Sequence, residues 1–184
     1  FPGTVTGITG SCGKTSTKEM LSAVLGPGTR ATPGNFNNLL GVPISLCALD
    51  PAGDRNGVFE AGINEPGEMA RLASMIDPEE ALVTAIGPAH LEKLGSLEAI
   101  AREKCELPAR ARRRVLLGPS CADYGCFFGL SAETHLIRPA GEDPPEVPPG
   151  ATVWSYRLEA GQRCLKLSTP AMGALAIHVP DMSH

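Results

Sequence analysis

Thr4-Val5-Thr6-Gly7-Ile8-Thr9-Gly10-Ser11-Cys12-Gly13-Lys14-Thr15-Ser16 is the stretch whose reading decides the fold. Its first six residues are β-branched or small and predict a buried strand. From about Lys14 to Leu25 the spacing predicts a helix with Met20, Leu21, Val24 and Leu25 on its apolar face. Between the two lies a turn with glycine at 10 and 13. Strand, glycine-bearing turn, lysine, hydroxyl, helix is the order of a nucleoside triphosphate site. Gly10 and Gly13 let backbone N–H groups turn inward around phosphate oxygens, and the helix start adds its positive dipole end. Lys14 can reach the β- and γ-phosphates, and the Thr15 hydroxyl can ligate Mg²⁺. Ser11, Cys12 and Ser16 complete the expected nucleotide-binding set. The strict G-x-x-x-x-G-K-[ST] pattern needs glycine at position 8, where the chain has Ile8. A glycine-rich turn with an incidental Gly13-Lys14-Thr15 is the alternative; the strand before it and the helix after it favour phosphate.

Outward from this stretch, strand-like and helix-like segments alternate. Pro43 suits the first turn of a second helix through Ile44, Leu46 and Leu49. Val58-Phe59-Glu60 reads as the next strand. Pro66 opens a helix carrying Met69, Leu72, Ala73 and Ile76, which Asp77-Pro78 ends. Ala81 to Ile86 is a third strand, Leu97 to Leu107 a further helix and Val115 to Leu117 a fourth strand. Such alternation predicts an α/β fold: a P-loop-type, mostly parallel sheet with helices on both faces, over residues 1–138. Residues 139–150 are rich in Pro, Gly and acid and read as a loop. Residues 151–184 read as an antiparallel β meander, with strands at Thr152–Leu158, Cys164–Ser168 and Ala174–Val179 and a turn near Gly161.

Composition narrows the function classes. Of 184 residues, 42% are hydrophobic, 20% charged and 4% aromatic, the balance of an ordinary globular domain. The net charge of −4 offers no attraction to nucleic acid or to an anionic membrane, and so few aromatics make base-stacking platforms a poor expectation. No apolar run is long enough to span a bilayer. The six cysteines show no CxxC pairing and no zinc-site spacing, which fits a reducing cytosol with the thiols as small buried groups. The opening Phe1-Pro2-Gly3 and the ending at Pro180–His184, which closes no element, read as the edges of a longer protein.

Two further residues fall at or just after strand ends. Glu60 ends the second predicted strand, where a carboxylate could hold a phosphate-bound Mg²⁺. His90 follows the third through Gly87-Pro88-Ala89. Alone, Glu60 is an exposed strand-end acid and His90 a hydrogen-bonded structural residue; delivered to one sheet edge with Lys14 and Thr15, they become site candidates. Lys104 reads by itself as a solvated helix lysine, and Arg110, Arg112, Arg113 and Arg114 as a solvated helix end. Asn35, Asn37 and Asn38 form either a plain loop or a polar substrate contact.

Gly7 to Glu19, Gly34-Asn35-Phe36-Asn37-Asn38 with Gly41-Val42-Pro43, Gly87-Pro88-Ala89-His90-Leu91-Glu92, Gly95-Ser96-Leu97-Glu98 and Ala101 to Lys104 together resemble the Mur ligase central domain. Glu92 and the Gly95-Ser96 pair look most like the MurF branch. The resemblance implies an ATP-dependent enzyme of the cytoplasm and of peptidoglycan synthesis. It would join D-alanyl-D-alanine, a dipeptide amine, to a UDP-muramoyl peptide through an acyl phosphate. It implies flanking N- and C-terminal domains outside residues 1–184. It also implies that Lys14, His90 and Lys104 serve catalysis; that Thr15, Glu60, His90 and Lys104 hold up to two Mg²⁺, Lys104 as a CO₂-derived carbamate; and that Asn37 and Asn38 lie near substrate. Two departures stand out. Cys12 replaces the usual asparagine, and Gly118-Pro119-Ser120-Cys121 stands where the family has an Asn-x-Asp-Asp-like segment that recognises adenine. The alternatives are a degenerate Mur-like domain that binds a nucleotide or a partner without chemistry, and a folate- or cyanophycin-type ligase.

Overall fold

The chain runs β1 (Thr4–Thr9), α1 (Lys14–Leu25), β2 (Thr29–Ala31), α2 (Gly41–Cys47), β3 (Asn56–Glu60), α3 (Glu68–Ile76) and β4 (Glu80–Val83). It continues through α4 (Leu91–Leu94), α5 (Leu97–Ala109), β5 (Arg114–Leu117), β6 (Glu133–Pro139), β7 (Thr152–Glu159), β8 (Cys164–Thr169) and β9 (Gly173–His178). The computed structural model describes residues 1–141, 146–159, 164–169 and 173–178. Expectations that touch Gly161, Val179 and residues 180–184, and the middle of the 139–150 loop, lie outside them.

The strands form one sheet in the order β2-β3-β1-β4-β5-β6-β7-β8-β9. Every pairing from β2 to β7 is parallel, and the last two are antiparallel. The meander is therefore not a separate layer: β7 extends the parallel sheet through His135↔Thr152 to Pro139↔Tyr156 before the chain reverses. Register brings the exits of β1, β3 and β4 level, with Ile8 opposite both Glu60 and Leu82. Parallel pairing is what gathers these carboxyl ends on one edge.

One face of the sheet is fully covered. Ala81, Val83, Val115, Leu117 and Leu136 alternate along it and are buried, packed with the helices α3 and α5. At Gly7 an added Cβ would lie 3.0 Å from a Leu107 methyl, so the missing side chain is what lets α5 sit directly on β1. α3 buries Met69, Leu72, Ala73 and Ile76, the four residues its spacing selects, and stops where Asp77 turns left-handed at φ 44°. α1 packs on the β1–β2–β3 side. Beyond it Leu82, Leu116 and Ile137 are only half-covered.

Several expectations fail. Three of the four residues expected on the apolar face of α1 are turned outward, Met20 58%, Val24 83% and Leu25 38% exposed, and only Leu21 faces in. The inward stripe is Lys14, Thr17, Lys18, Leu21 and Ser22, because the edge above β2 offers carbonyl groups rather than apolar surface. Ile44 of α2 is likewise exposed. Lys104 is not a solvated helix lysine but 2% exposed. Cys105 and Cys121 are buried as expected, whereas Cys12 and Cys47 are exposed free thiols. β2 and β6 have no counterpart in the sequence reading. β2 is three residues long, and β6 alternates Thr134 and Leu136 inward among polar neighbours. The arginine cluster is surface, as expected: Arg112 pairs with Asp77, and Arg113 and Arg114 with Glu80, at the sheet edge opposite the glycine turn.

Candidate functional site

The turn between β1 and α1 needs its glycines. Gly10 has φ 147° and Gly13 φ 79°, and a Cβ on Gly10 would lie 1.9 Å from Thr84 Oγ1. That close approach is used: the Thr84 hydroxyl donates to Cys12 O at 2.5 Å. Ser11 fastens the turn a second time. Its N–H donates to Ala85 O at 2.7 Å, and its hydroxyl donates to Gly87 O and accepts from Gly87 N, each at 2.9 Å. The loop is thus bolted to the exit of β4.

α1 begins on Gly13 with no side-chain cap and no acid in its first turn, so its N–H groups and dipole are uncompensated. Lys14 Nζ donates to Gly10 O at 2.9 Å, folding its charge back over the same turn. Positive-φ glycines, an uncapped helix start and a lysine give this turn the geometry of an anion cradle of phosphate type.

Beside it the Thr15 hydroxyl donates to Glu60 Oε2 at 3.0 Å, and Asn37 Nδ2 donates to Glu60 Oε1 at 2.7 Å. Glu60 is 1% exposed, and its N–H donates to the Thr32 hydroxyl. A hydroxyl and a carboxylate beside a phosphate cradle are hard oxygen donors suited to Mg²⁺, which shares its shell with phosphates and water rather than requiring an all-protein cage. Among the described residues no three His, Cys, Asp or Glu side chains converge as a metal cluster.

The remaining candidates are placed as follows. His90 lies at the same edge, in left-handed backbone at φ 61°, heading α4 with its side chain exposed. Lys104 is held on α5, and burial pushes its amine down to about 8; the nearby Lys14 charge adds to this and Glu103 opposes it. Asn38 is engaged elsewhere: its Oδ1 accepts from Leu40 N and Gly41 N and fixes the entry to α2. Ser16 and Cys12 are exposed on the cradle.

Sequence reasoning missed Thr84, Thr32 and Ser120. Each is a lone hydroxyl with no motif around it, and only the parallel register shows what it touches. Ser120 Oγ accepts from Ile86 N at 2.8 Å, and a Cβ on Gly118 would lie 2.0 Å from Thr84 O. The Gly118–Cys121 segment is therefore tied closely to the exit of β4. Between it and α1 a cavity of about 250 Å³ is lined by Thr17, Leu82, Thr84, Leu116, Gly118 and Pro119. Its lining is mostly apolar, suited to a flat, weakly polar group.

Residues 8–117 match the family described as the Mur ligase middle domain. The UDP-N-acetylmuramoyl-tripeptide–D-alanyl-D-alanine ligase of Bacillus subtilis is 44% identical over 105 residues, 56% of this chain and 23% of its own length. The chain thus spans about a quarter of the length of the curated relatives it matches. A crystal structure of MurF from Acinetobacter baumannii superposes with a TM-score of 0.70 at 26% identity, covering 96% of this chain and 38% of that one. MurF from Thermotoga maritima, solved in complex with ADP, gives 0.67 at 27% identity, covering 96% and 40%.

Proposed function

Because the chain belongs to the Mur ligase middle-domain family, we propose that it is the ATP-binding domain of a ligase adding D-alanyl-D-alanine to a UDP-muramoyl peptide. The observation that carries this reading is the contact of Thr15 with Glu60 beside the Lys14 cradle. The activity of the relatives from Bacillus subtilis and Escherichia coli supports the substrate class. The ADP complex of the Thermotoga maritima structure supports the nucleotide.

In this proposal the cradle from Gly10 to Ser16 binds the phosphate chain of ATP, and the cavity at Leu116 and Pro119 takes the base. Lys14 leaves the Gly10 carbonyl and moves onto the β- and γ-phosphates. A substrate carboxylate oxygen attacks the γ-phosphorus, the bond to the β,γ-bridging oxygen breaks, and ADP departs with the electron pair. The amine of the dipeptide then attacks the acyl carbon, phosphate leaves, and the amine loses its proton. Lys14 acts by neutralising charge that builds on the transferring group. Mg²⁺, held by Thr15 and Glu60, would supply further neutralisation. A second ion would draw on His90 and on Lys104, whose ammonium has no lone pair and whose carbamate would offer the oxygen donors that Mg²⁺ prefers. Asn37 orients Glu60 and faces the substrate side. Flanking domains would supply the UDP-sugar and amine sites, and the reaction belongs to the cytoplasm, where ATP is available.

Calorimetry of ADP and of a non-hydrolysable ATP analogue, with and without Mg²⁺, tests this. Binding that strengthens with Mg²⁺ and is lost in Lys14→Met is the expected result. A second reading rests on the Gly118–Cys121 segment: a degenerate domain that no longer accommodates adenine. No binding at millimolar nucleotide would favour it over the ligase.

A further inference from the structure

Lys18 is among the largest side chains buried completely in the described residues, and the mechanism above does not use it. It sits one turn after Lys14 on the inward stripe of α1, at 0% exposure. Its ammonium donates to Thr32 O and to Gly34 O, both at 2.8 Å, and pairs with the exposed Glu19 carboxylate at 3.0 Å. All three protons of the ammonium thus have acceptors, which is what makes a fully buried lysine tolerable.

The two carbonyls it holds belong to the segment that orients Glu60. The same Thr32 whose carbonyl accepts from Lys18 has its hydroxyl on Glu60 N and its N–H on Val58 O. Three residues past Gly34, Asn37 donates to Glu60 Oε1, and its carbonyl accepts from Gly62 N at 2.7 Å. An added Cβ on Gly62 would lie 3.0 Å from the Asn37 amide carbon, so the asparagine side chain has little room to turn. Both contacts that set Glu60 from the β2 side therefore hang on a segment that Lys18 ties to the phosphate-loop helix. Thr15, on that helix, makes the third contact.

We infer that Lys18 is a positioning residue for the metal end of the site, holding the Thr32–Asn37 segment so that Glu60 faces Thr15. This rests on the reading of Thr15 and Glu60 as Mg²⁺ ligands. Lys18 touches neither metal nor phosphate and acts through Thr32 and Asn37.

The test measures ADP affinity of the full chain by calorimetry in EDTA and in saturating Mg²⁺, with thermal melts alongside. Lys18→Met keeps the length and removes the donors. It should leave affinity in EDTA near the parent's while cutting the Mg²⁺-dependent gain about tenfold, the scale of a lost charge-assisted hydrogen bond. Asn37→Ala should reproduce the loss, and the double variant should add little to either single one, because both act on one carboxylate. A parent with no Mg²⁺-dependent gain would overturn the metal reading and this inference with it. A parent gain that Lys18→Met leaves intact would overturn this inference alone, as would a variant that loses both affinities in proportion, the mark of a purely structural lysine. If Lys18→Met gives no cooperative melt, Lys18→Gln, which keeps a shorter donor, is judged by the same two affinities.

Discussion

Thr15 Oγ1 donates to Glu60 Oε2 across 3.0 Å, joining residues 45 apart in sequence at the start of α1 and the end of β3. The hydroxyl and the carboxylate would both face a cation that bridged to the phosphate cradle. Glu60→Gln keeps the shape and a partner for Thr15 but removes the charge. Its Mg²⁺-dependent gain in nucleotide affinity should fall by about tenfold or more, since a ligand charge is lost. Calorimetry in Mg²⁺ against EDTA reads this, and a gain equal to the parent's would remove Glu60 from the metal site.

Gly10→Ala should disable the cradle outright. The new Cβ would have to share space with Thr84 Oγ1 at 1.9 Å, and φ 147° is a backbone region that alanine avoids. Relief requires the Thr84 hydroxyl to abandon Cys12 O or the loop to shift away from Ala85 N. The loss should be about 3 kcal/mol or more in stability, the range of overpacked or strained core sites. Urea unfolding would show it; a variant with the parent's midpoint and nucleotide affinity would mean that the loop has room the structure denies it.

Ser11→Ala removes one hydroxyl that serves as donor and acceptor to Gly87. Gly87 N is left without its partner, at a cost of about 1–3 kcal/mol. The loop carrying His90 should loosen from the phosphate loop. Hydrogen exchange at Gly87 should quicken several-fold relative to amides in α3, and unchanged protection there would show that the bolt is redundant.

The legibility of the site follows from the physics of each part. The strand, positive-φ turn and helix start around Gly10 to Lys14 could be read because that geometry needs glycines at fixed spacing within one turn. α3 could be read because its four buried residues obey helical period. α1 misled: Met20, Val24 and Leu25 point outward and its buried position is Lys18, a choice dictated by two carbonyls contributed by the segment after β2. Lys104 misled for the same reason, since its burial comes from packing of α5 on the sheet and not from its own neighbours in sequence. Thr32, Thr84 and Ser120 carried no signal. Their partners are fixed only when parallel strands bring three separate chain exits level.

Lys104 gives the sharpest pH prediction. Its amine is lowered from 10.5 to about 8, chiefly by burial and then by Lys14. The unfolded chain therefore binds the proton more tightly than the folded one between pH 8 and 10.5, so stability from this group rises with pH across that window and the full penalty applies below it. At about 1.4 kcal/mol per unit, the penalty is about 3 kcal/mol. In CO₂-free buffer, Lys104→Met should therefore be more stable than the parent at pH 7, and the advantage should shrink as pH rises from 8 toward 10. Taking the difference between the two proteins cancels the titrating groups that do not interact with Lys104, leaving Lys104 with its couplings to Lys14 and Glu103. The same shift makes the neutral, CO₂-reactive amine about 300-fold more abundant at pH 7 than in an ordinary lysine. Carbon-13 bicarbonate should then give a carbamate resonance in the parent that Lys104→Met lacks. A stability difference independent of pH would mean that the ammonium is solvated in the folded chain, and the lysine would lose its claim to special reactivity.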